Sequence, residues 1–447
     1  MTTDDTLPAG AGSLYRTIWR WHFYAGLICL PFFILLATTG AIYLFRDQLE
    51  PVFEHNRLIV EQTAARPLAA ETLIGRALTV QPGAPVRFAP PSAPERSAEV
   101  GVRDEAGTVM SVFLEPSTGR VLDTVADDQR PMTLISHIHS LDILGAGPNL
   151  IIEIVAGWAI LLVASGVYLW WPRGRKGGVI TVRATPARRI WWRDLHAVTG
   201  ILACSALLFL AITGMPWSGY WGDNFRRIVN EGGLGMPAQV MATSVASDAA
   251  LAATTAGSWT MDASSVPVVA PSAGQRLRIG AIMDIASQRG VAPGYVIRLP
   301  GSPGGVFTVQ SYPNKATGQR VIHIDQYSGK VLAEVRFADY GPVSKAVEWG
   351  IAVHTGGQYG LINQLVMLAG CLAIIGLSIT SAVMWWKRRP PGKLAAPPAP
   401  QAARPVSGFA LFALATGLVF PLLGLSILIA LVVDRLVSAT LKRQFAL

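Results

Sequence analysis

Five long apolar stretches dominate the hydrophobic pattern of the chain, and polar or basic segments separate them. The stretches contain few charged residues and cover residues 21–45, 149–171, 195–217, 361–386 and 408–433. At about 1.5 Å of rise per residue, a helix of each length crosses a hydrocarbon core roughly 30 Å thick. The pattern therefore predicts an α-helical integral membrane bundle of about five spans, with the lipid bilayer as its first partner.

Composition and charge support this interpretation. The 447 residues are 51% hydrophobic and 15% charged, with a net charge of +9. The basic residues concentrate in two short segments, 172–194 and 387–407, and near the N-terminus at Arg16 and Arg20. The positive-inside rule predicts that these segments are cytoplasmic, and it explains the charge without nucleic acid. We therefore expect the folded domains between the spans to lie on the opposite side of the membrane.

The chain is internally duplicated. His22 and His196 are each followed by a glycine four residues later and by a Thr-Gly pair starting seventeen residues later. His139 and His354 are each followed by a glycine six residues later and by a Trp-Trp pair starting thirty-one residues later. Four of the seven histidines therefore occupy repeated positions.

The segments between the spans share a motif as well. VFLEPSTGRVLD and VIHIDQYSGKVLAE each alternate like a strand, and each then reaches a turn at Gly119 or Gly329. This predicts a β-hairpin in each repeat. Each half of the chain should thus contain a span, a small outward α+β domain and a second span.

These observations give the following predicted organisation. The segments are a cytoplasmic N-terminus (1–20), a first span (21–45), a first periplasmic domain (46–136), a periplasmic edge with the second span (137–171), a basic loop (172–194), a third span (195–217), a second periplasmic domain with a loose insertion (218–353), a periplasmic edge with the fourth span (354–386), a linker (387–407), a fifth span (408–433) and a C-terminal tail (434–447).

The repeated histidines form two predicted layers. His22 and His196 begin their spans on the cytoplasmic side, whereas His139 and His354 precede theirs on the outer side. An imidazole near lipid needs a partner, and haem iron is one that helix bundles accommodate. We therefore expect two bis-histidine b-type haems, one per layer. The simpler alternative is a set of interfacial histidines within an aromatic belt.

Other residues near the histidines have two interpretations each. Gly26 and Gly200 lie one helical turn after a histidine, where they would let a flat macrocycle approach or simply permit close helix packing. Arg20 and Arg193 are candidate partners for haem propionates, although positive-inside charge explains them equally well.

Three further positions extend these interpretations. His137 lies two residues before His139 and is an alternative ligand to it. The Thr-Gly pairs at Thr39 and Thr213 are best explained by close helix packing.

Several enzyme motifs are absent from the sequence. It contains no G-x-G-x-x-G after a strand, no Walker A motif, no H-E-x-x-H and no G-x-S-x-G. The two cytoplasmic loops are too short to fold a flavin or nicotinamide domain. Electrons would therefore have to come from a separate cytoplasmic reductase or from a membrane quinol.

The residues resemble a known family. The repeated His-x3-Gly spans, LHAVTG, the closing Tyr-Leu-Trp-Trp and the turn before each second strand look like the PepSY-associated transmembrane helix family of bacterial inner-membrane proteins, over about residues 15–390. Some members resemble ferric-siderophore reductases with two b-type haems. That resemblance implies His22, His196, His139 and His354 as iron ligands and PepSY-like folds for the outward domains. Ala197 stands where the family commonly has arginine after the histidine.

The resemblance implies a transmembrane electron conduit that reduces a ferric chelate, such as a siderophore, at the periplasmic face. Two other functions fit the same residues. One is a non-enzymatic scaffold whose outward domains bind or restrain a periplasmic protein. The other is a transporter, although that usually requires broken helices or charges at the bilayer midplane.

Overall fold

The computed structural model describes residues 9–62, 65–172, 177–235, 258–261, 266–271, 274–389 and 407–444. The chain forms two compact units that interleave along the sequence. The first unit comprises Met1–Ala41, Ile138–Asn224 and Leu365–Leu447, and the second comprises Ile42–His137 and Phe225–Gln364.

Thirteen α-helices are present in the described part of the chain. They are α1 (Ala9–Tyr43), α2 (Arg46–Phe53), α3 (His55–Leu58), α4 (Ala70–Val80), α5 (Pro131–Ser140), α6 (Ala146–Trp170), α7 (Arg189–Gly214), α8 (Tyr220–Glu231), α9 (Ile279–Gln288), α10 (Pro342–His354), α11 (Leu361–Arg388), α12 (Ser407–Val419) and α13 (Pro421–Gln444).

Four of these helices are long and apolar enough to cross a membrane. The candidate spans are Leu14–Tyr43 in α1, Gly147–Trp170 in α6, Arg189–Trp217 from α7 onward, and Leu361–Arg388 in α11. Their side chains remain largely exposed within the protein, as expected for helices whose outer faces contact lipid. The first four predicted spans therefore correspond to continuous helices.

The segment 408–433, predicted as a fifth span, is not one continuous helix. The segment forms two helices, α12 and α13, and the chain turns sharply between Val419 and Pro421. Proline has no amide hydrogen to continue the helix. Gly417 and Gly424 allow α12 and α13 to approach each other closely, because a β-carbon on Gly424 would lie only 2.7 Å from the carbonyl oxygen of Gly417.

This hairpin packs against α6. Leu423 fills the space beside Gly157, and Trp158 Nε1 donates to Ser426 Oγ at 3.0 Å. Asp434 of α13 forms an ion pair with Arg20 of α1 at 2.6 Å. The end of α13 therefore lies beside the start of α1, whereas a single span would have left at the opposite end of the bundle.

The second unit is built on one antiparallel sheet. Its strands are β1 (Ala84–Ala89), β2 (Ala98–Arg103), β3 (Val109–Leu114), β4 (Val121–Ala126), β5 (Val296–Arg298), β6 (Val306–Ser311), β7 (Arg320–Asp325) and β8 (Val331–Arg336). They lie in the order β4-β3-β2-β1-β5-β6-β7-β8.

The sequence analysis predicts two separate outward domains, and the structure joins their strands. The first strand of each repeat would otherwise expose a row of unpaired backbone groups. Instead, β1 pairs with β5 through Arg87↔Arg298 and Phe88↔Ile297. The two repeats thus share a single sheet of eight strands.

Helices α4 and α9 cover one face of this sheet. The alternate strand residues Val100 and Val102 point into the core, as do Ile322 and Ile324 from the other repeat. The predicted hairpins are confirmed at β3–β4 and β7–β8. Gly119 and Gly329 have positive φ values of 69° and 73°, a backbone conformation that favours glycine.

Candidate functional site

The imidazole of His22 on α1 has a fixed hydrogen-bond partner on α6. Its Nδ1 lies 2.8 Å from Ser165 Oγ, and that hydroxyl also contacts the carbonyl oxygen of Leu161 at 2.7 Å. A serine hydroxyl has one hydrogen, and the carbonyl can only accept. Ser165 therefore donates to Leu161 and accepts from Nδ1–H of His22. In the neutral ring this leaves the lone pair on Nε2.

His196 repeats the arrangement in the second half of the chain. Its Nδ1 lies 3.0 Å from Thr380 Oγ1, which donates to the carbonyl oxygen of Leu377 at 3.0 Å. Ser165 and Thr380 each come twenty-six residues after a repeated histidine, His139 or His354. The sequence analysis overlooked both hydroxyls, although this repeated spacing was the signal that could have identified them.

His139 on α5 follows the same rule. Its Nδ1 lies 2.8 Å from Thr39 Oγ1 on α1, and Thr39 donates to the carbonyl oxygen of Leu35 at 2.7 Å. Burial lowers the pKa of His139 to about 4, so its ring is neutral at ordinary pH. Thr39, predicted to serve close helix packing, thus also contacts a histidine on another helix. Thr213 repeats the backbone contact by donating to the carbonyl oxygen of Phe209 at 2.7 Å.

The three histidines of the first unit lie at two levels. His22 and His196 are close enough to interact electrostatically. His139 instead contacts Thr39, seventeen residues after His22 on the same helix, which corresponds to about 25 Å along its axis. His22 and His196 therefore lie at one level of the first unit and His139 at another, while the assignment of an inner and an outer side stays a prediction.

The glycines around the rings differ from the predicted set. Gly26 and Gly200 face leucines, since a β-carbon added there would lie 3.9 Å from Leu162 and 3.6 Å from Leu377, respectively. The glycines beside imidazoles are Gly166 and Gly40. Added β-carbons would lie 3.4 Å from His22 Cε1 and 3.5 Å from His139 Cε1.

Gly26 and Gly200 nevertheless occupy equivalent positions in the two repeats. Each packs against the helix that carries the hydroxyl partner of its histidine. Their role beside a macrocycle stays a prediction.

The two arginines near the inner histidines have carboxylate partners in the structure. Arg20 pairs with Asp434 and lies over the Tyr24 ring at 5.3 Å from its centre. Two residues correspond to about 200° around a helix, so Arg20 lies away from the His22 face. Arg193 pairs with Asp194, whose side chain is fully buried. A propionate would have to compete with these carboxylates for either guanidinium.

The other four histidines lie outside the contacts of His22, His196 and His139 described above. His354 is half-buried at the end of α10 in the second unit, and His137 is half-buried on α5. Their assignment as ligand and alternative ligand stays a prediction. His323 on β7 is buried and contacts Thr308 Oγ1 through Nδ1 at 2.9 Å. His55, in contrast, is an exposed residue of α3.

The hydrogen bonds of the histidine rings are compatible with axial coordination of a haem iron. Among the described residues, no group of three or more histidine, cysteine, aspartate or glutamate side chains converges as a metal site. An axially coordinated haem needs only two imidazoles. A ring whose Nδ1–H is held by a second group and whose Nε2 lone pair is available is the usual form of a metal-ligating histidine.

We compared the chain with known protein families and with curated proteins. The family model described as "PepSY-associated TM region" matches residues 19–388. A comparison with curated proteins gives no significant match. The match covers all four long helices and the eight-stranded sheet, while α12 and α13 lie outside it. This chain is therefore a membrane protein that belongs to the PepSY-associated transmembrane family.

Proposed function

We propose that this protein transfers electrons across the bacterial inner membrane through two b-type haems and reduces a ferric chelate, such as a ferric siderophore, at the periplasmic face. The observation that carries the proposal is the repeated histidine geometry. His22, His196 and His139 each bind a hydroxyl through Nδ1, and each hydroxyl donates its hydrogen to its own helix backbone.

This geometry favours ligation over an interfacial role. An interfacial histidine has no need of a fixed tautomer, because water can satisfy either ring nitrogen. Here two different hydroxyl types, serine and threonine, preserve the same hydrogen-bond direction at equivalent positions. The conserved feature between the repeats is therefore the availability of Nε2.

The residues have distinct roles in this proposal. His22 and His196 hold the inner haem, and His139 and His354 hold the outer one. Ser165, Thr380 and Thr39 orient their rings. When bound, haem would supply the one-electron redox chemistry that reduction of Fe(III) requires. The apolar helices exclude water from the path, and the PepSY-like second unit shapes the acceptor site.

The electron balance requires an external donor and an external acceptor. A cytoplasmic reductase or a membrane quinol supplies one electron for each Fe(III) that is reduced to Fe(II). Hard oxygen ligands, such as catecholates and hydroxamates, hold Fe(II) much more weakly than Fe(III), so reduction favours release of the iron. The basic segment after α6 supports a cytoplasmic position for that end of the bundle.

The first test is a reduced-minus-oxidised absorption spectrum of detergent-purified protein from haem-replete cells, with haem measured per chain. We expect about two b-type haems per chain, as four axial histidines require. Reduction of a ferric chelate by the haem-loaded protein is then followed with a ferrous-iron indicator. Absence of haem from well-folded protein would contradict the proposal and favour the binding scaffold.

A further inference from the structure

Buried carboxyl groups in this protein usually have arginine partners. Five acidic residues are buried in the described part of the chain, and three of them form ion pairs with arginine, namely Glu54, Asp127 and Asp194. The other two are Glu153 and Glu348. Glu153 accepts a hydrogen bond from the backbone of Trp221 at the start of α8, which gives it a structural role.

Glu348 on α10 is only 1% exposed, and among the described residues the groups that donate to it are all neutral. Ser258 Oγ and the backbone nitrogen of Thr260 donate to Oε1 at 2.5 Å and 2.8 Å. Gln319 Nε2 donates to Oε2 at 2.8 Å. All three of these groups donate to the Glu348 carboxyl oxygens. Among the described residues, no basic side chain lies within ion-pair distance to balance its charge.

Three buried oxygen atoms without hydrogen-bond partners among the described residues belong to neighbours of Glu348. Gln319 Oε1, Thr260 Oγ1 and Ser344 Oγ are buried and have no hydrogen-bond partner among the described residues. Gln319 and Thr260 belong to the groups that already donate to Glu348. Ser344 lies one helical turn before Glu348, on the same face of α10. All three oxygens therefore belong to residues that contact Glu348 or lie one helical turn from it.

We propose that Glu348, Gln319, Thr260 and Ser344 form a binding site for a hard monovalent cation, with Na⁺ as the ligand. Hard cations prefer oxygen ligands, and this set supplies carboxylate, amide and hydroxyl oxygens. One carboxylate balances one positive charge, whereas calcium sites usually combine several carboxylates. The cation takes the place of the arginine partner that Glu54, Asp127 and Asp194 have, because a buried charge without a partner is costly.

The site connects three separate segments of the second unit. The short segment 258–261, the end of the loop before β7, and α10 all contribute ligands. Binding therefore stabilises the docking of Ser258–Met261 on α10. The proposal is independent of haem, because every residue in it belongs to the second unit.

The test measures thermal unfolding of the full-length protein in detergent at constant ionic strength. NaCl replaces choline chloride stepwise, with KCl and CaCl₂ in parallel series. We expect the Tm to rise saturably with Na⁺, and Ser344→Ala to shift the midpoint about tenfold higher because one oxygen ligand is lost. Equilibrium dialysis with radioactive Na⁺ measures the same binding directly.

Glu348→Gln keeps the shape of the side chain and should abolish the Na⁺ dependence. Asp127→Asn is the matched control, since it alters a buried carboxylate that has an arginine partner and should retain the Na⁺ response. If Glu348→Gln fails to fold, Ser344→Ala and Thr260→Val still test the site. Equal Tm values in Na⁺ and choline for the unaltered protein, with no bound radioactive Na⁺, would overturn the proposal and leave buried water at these oxygens.

Discussion

The first unit contains the candidate membrane spans and is called the membrane unit, and the second contains the eight-stranded sheet and is called the sheet unit. The two units retain different features of the same internal duplication. In the membrane unit, individual contacts recur. His22 and His196 bind hydroxyls in the same way, and Gly26 and Gly200 each face a leucine at an equivalent position. The sheet unit instead keeps its strand order and turns while its buried polar groups differ.

The difference is clearest on the face of the sheet opposite α4 and α9. In the first repeat, Arg87 joins Asp127, Glu99 and Ser111 in a buried charged network. Burial alone would raise the pKa of Glu99, but Arg87 and Arg130 hold it below its ordinary value. The second repeat has the neutral pair Thr308 and His323.

This comparison separates two kinds of constraint. A sheet tolerates any buried polar set whose members satisfy one another. A repeated site tolerates only side chains that preserve its chemistry. We therefore interpret the retained His-hydroxyl pairs as support for the proposed function and the divergent network as structural support.

The largest expected effect is loss of haem after removal of an inner histidine. His22→Ala and His196→Ala should each lower the haem content from about two per chain to about one, because a bis-histidine iron loses an axial ligand. Haem-to-protein ratio and the reduced spectrum measure this. His55→Ala, an exposed histidine in the second unit, is the control. Full haem content in both inner variants would contradict the layered pairing.

The second effect is loss of stability in the charged network. Arg87→Met leaves Asp127 and Glu99 buried without their main cation and should cost about 3–5 kcal/mol. Thermal unfolding of the full chain tests this. Arg298→Met is the matched control, because Arg298 lies opposite Arg87 on β5 and donates to the neutral Gln310. If both substitutions lower the free energy of unfolding equally, the ion pairs of Arg87 contribute no more to stability than the Arg298 hydrogen bond does.

The third effect is a pH dependence that arises from His323. Burial lowers the pKa of His323 to about 4 from an ordinary value of 6.5. The unfolded chain therefore binds a proton more readily between these values, and folding stability falls as the pH drops from 6.5 to 4. The total loss should be about 3 kcal/mol.

Unfolding curves between pH 7 and pH 4 measure this loss. The apolar pair His323→Phe with Thr308→Val should flatten the pH dependence, and Phe113 is the first repeat's residue at this strand position. An unchanged slope would assign the effect to other groups.

The smallest effect concerns the hydroxyls that orient the rings. Ser165→Ala and Thr380→Val remove the acceptor for Nδ1–H and should weaken haem binding about 10–100-fold. Exchange of the hydroxyl types, Ser165→Thr and Thr380→Ser, keeps the hydrogen bond and should have little effect. Transfer of haem to an apo-globin acceptor measures affinity. Similar losses in both sets would indicate packing rather than hydrogen bonding.

The sequence predicted the features that arise from local pattern. Apolar length identified four continuous helices, and the motif before each glycine identified the hairpins at Gly119 and Gly329. Family membership followed from the order of the histidines, glycines and tryptophans.

Features that depend on long-range contacts escaped prediction. Pairing of β1 with β5 joins residues that are about two hundred positions apart, and local pattern carries no register between them. The bend between α12 and α13 depends on Gly417 meeting Gly424, yet the hydropathy of this segment resembles that of a single span.

The β1–β5 junction also has a consequence for the history of the chain. Phe88 pairs with Val100 as Ile297 pairs with Val309, so Phe88 and Ile297 occupy equivalent positions, and they pair with each other. This is the self-complementary contact of an isologous homodimer. The two repeats of the sheet unit, β1–β4 and β5–β8, therefore pair within one polypeptide as the two subunits of such a homodimer would. Two half-length chains, divided between α6 and α7 and produced together, should reassemble through this pair of strands.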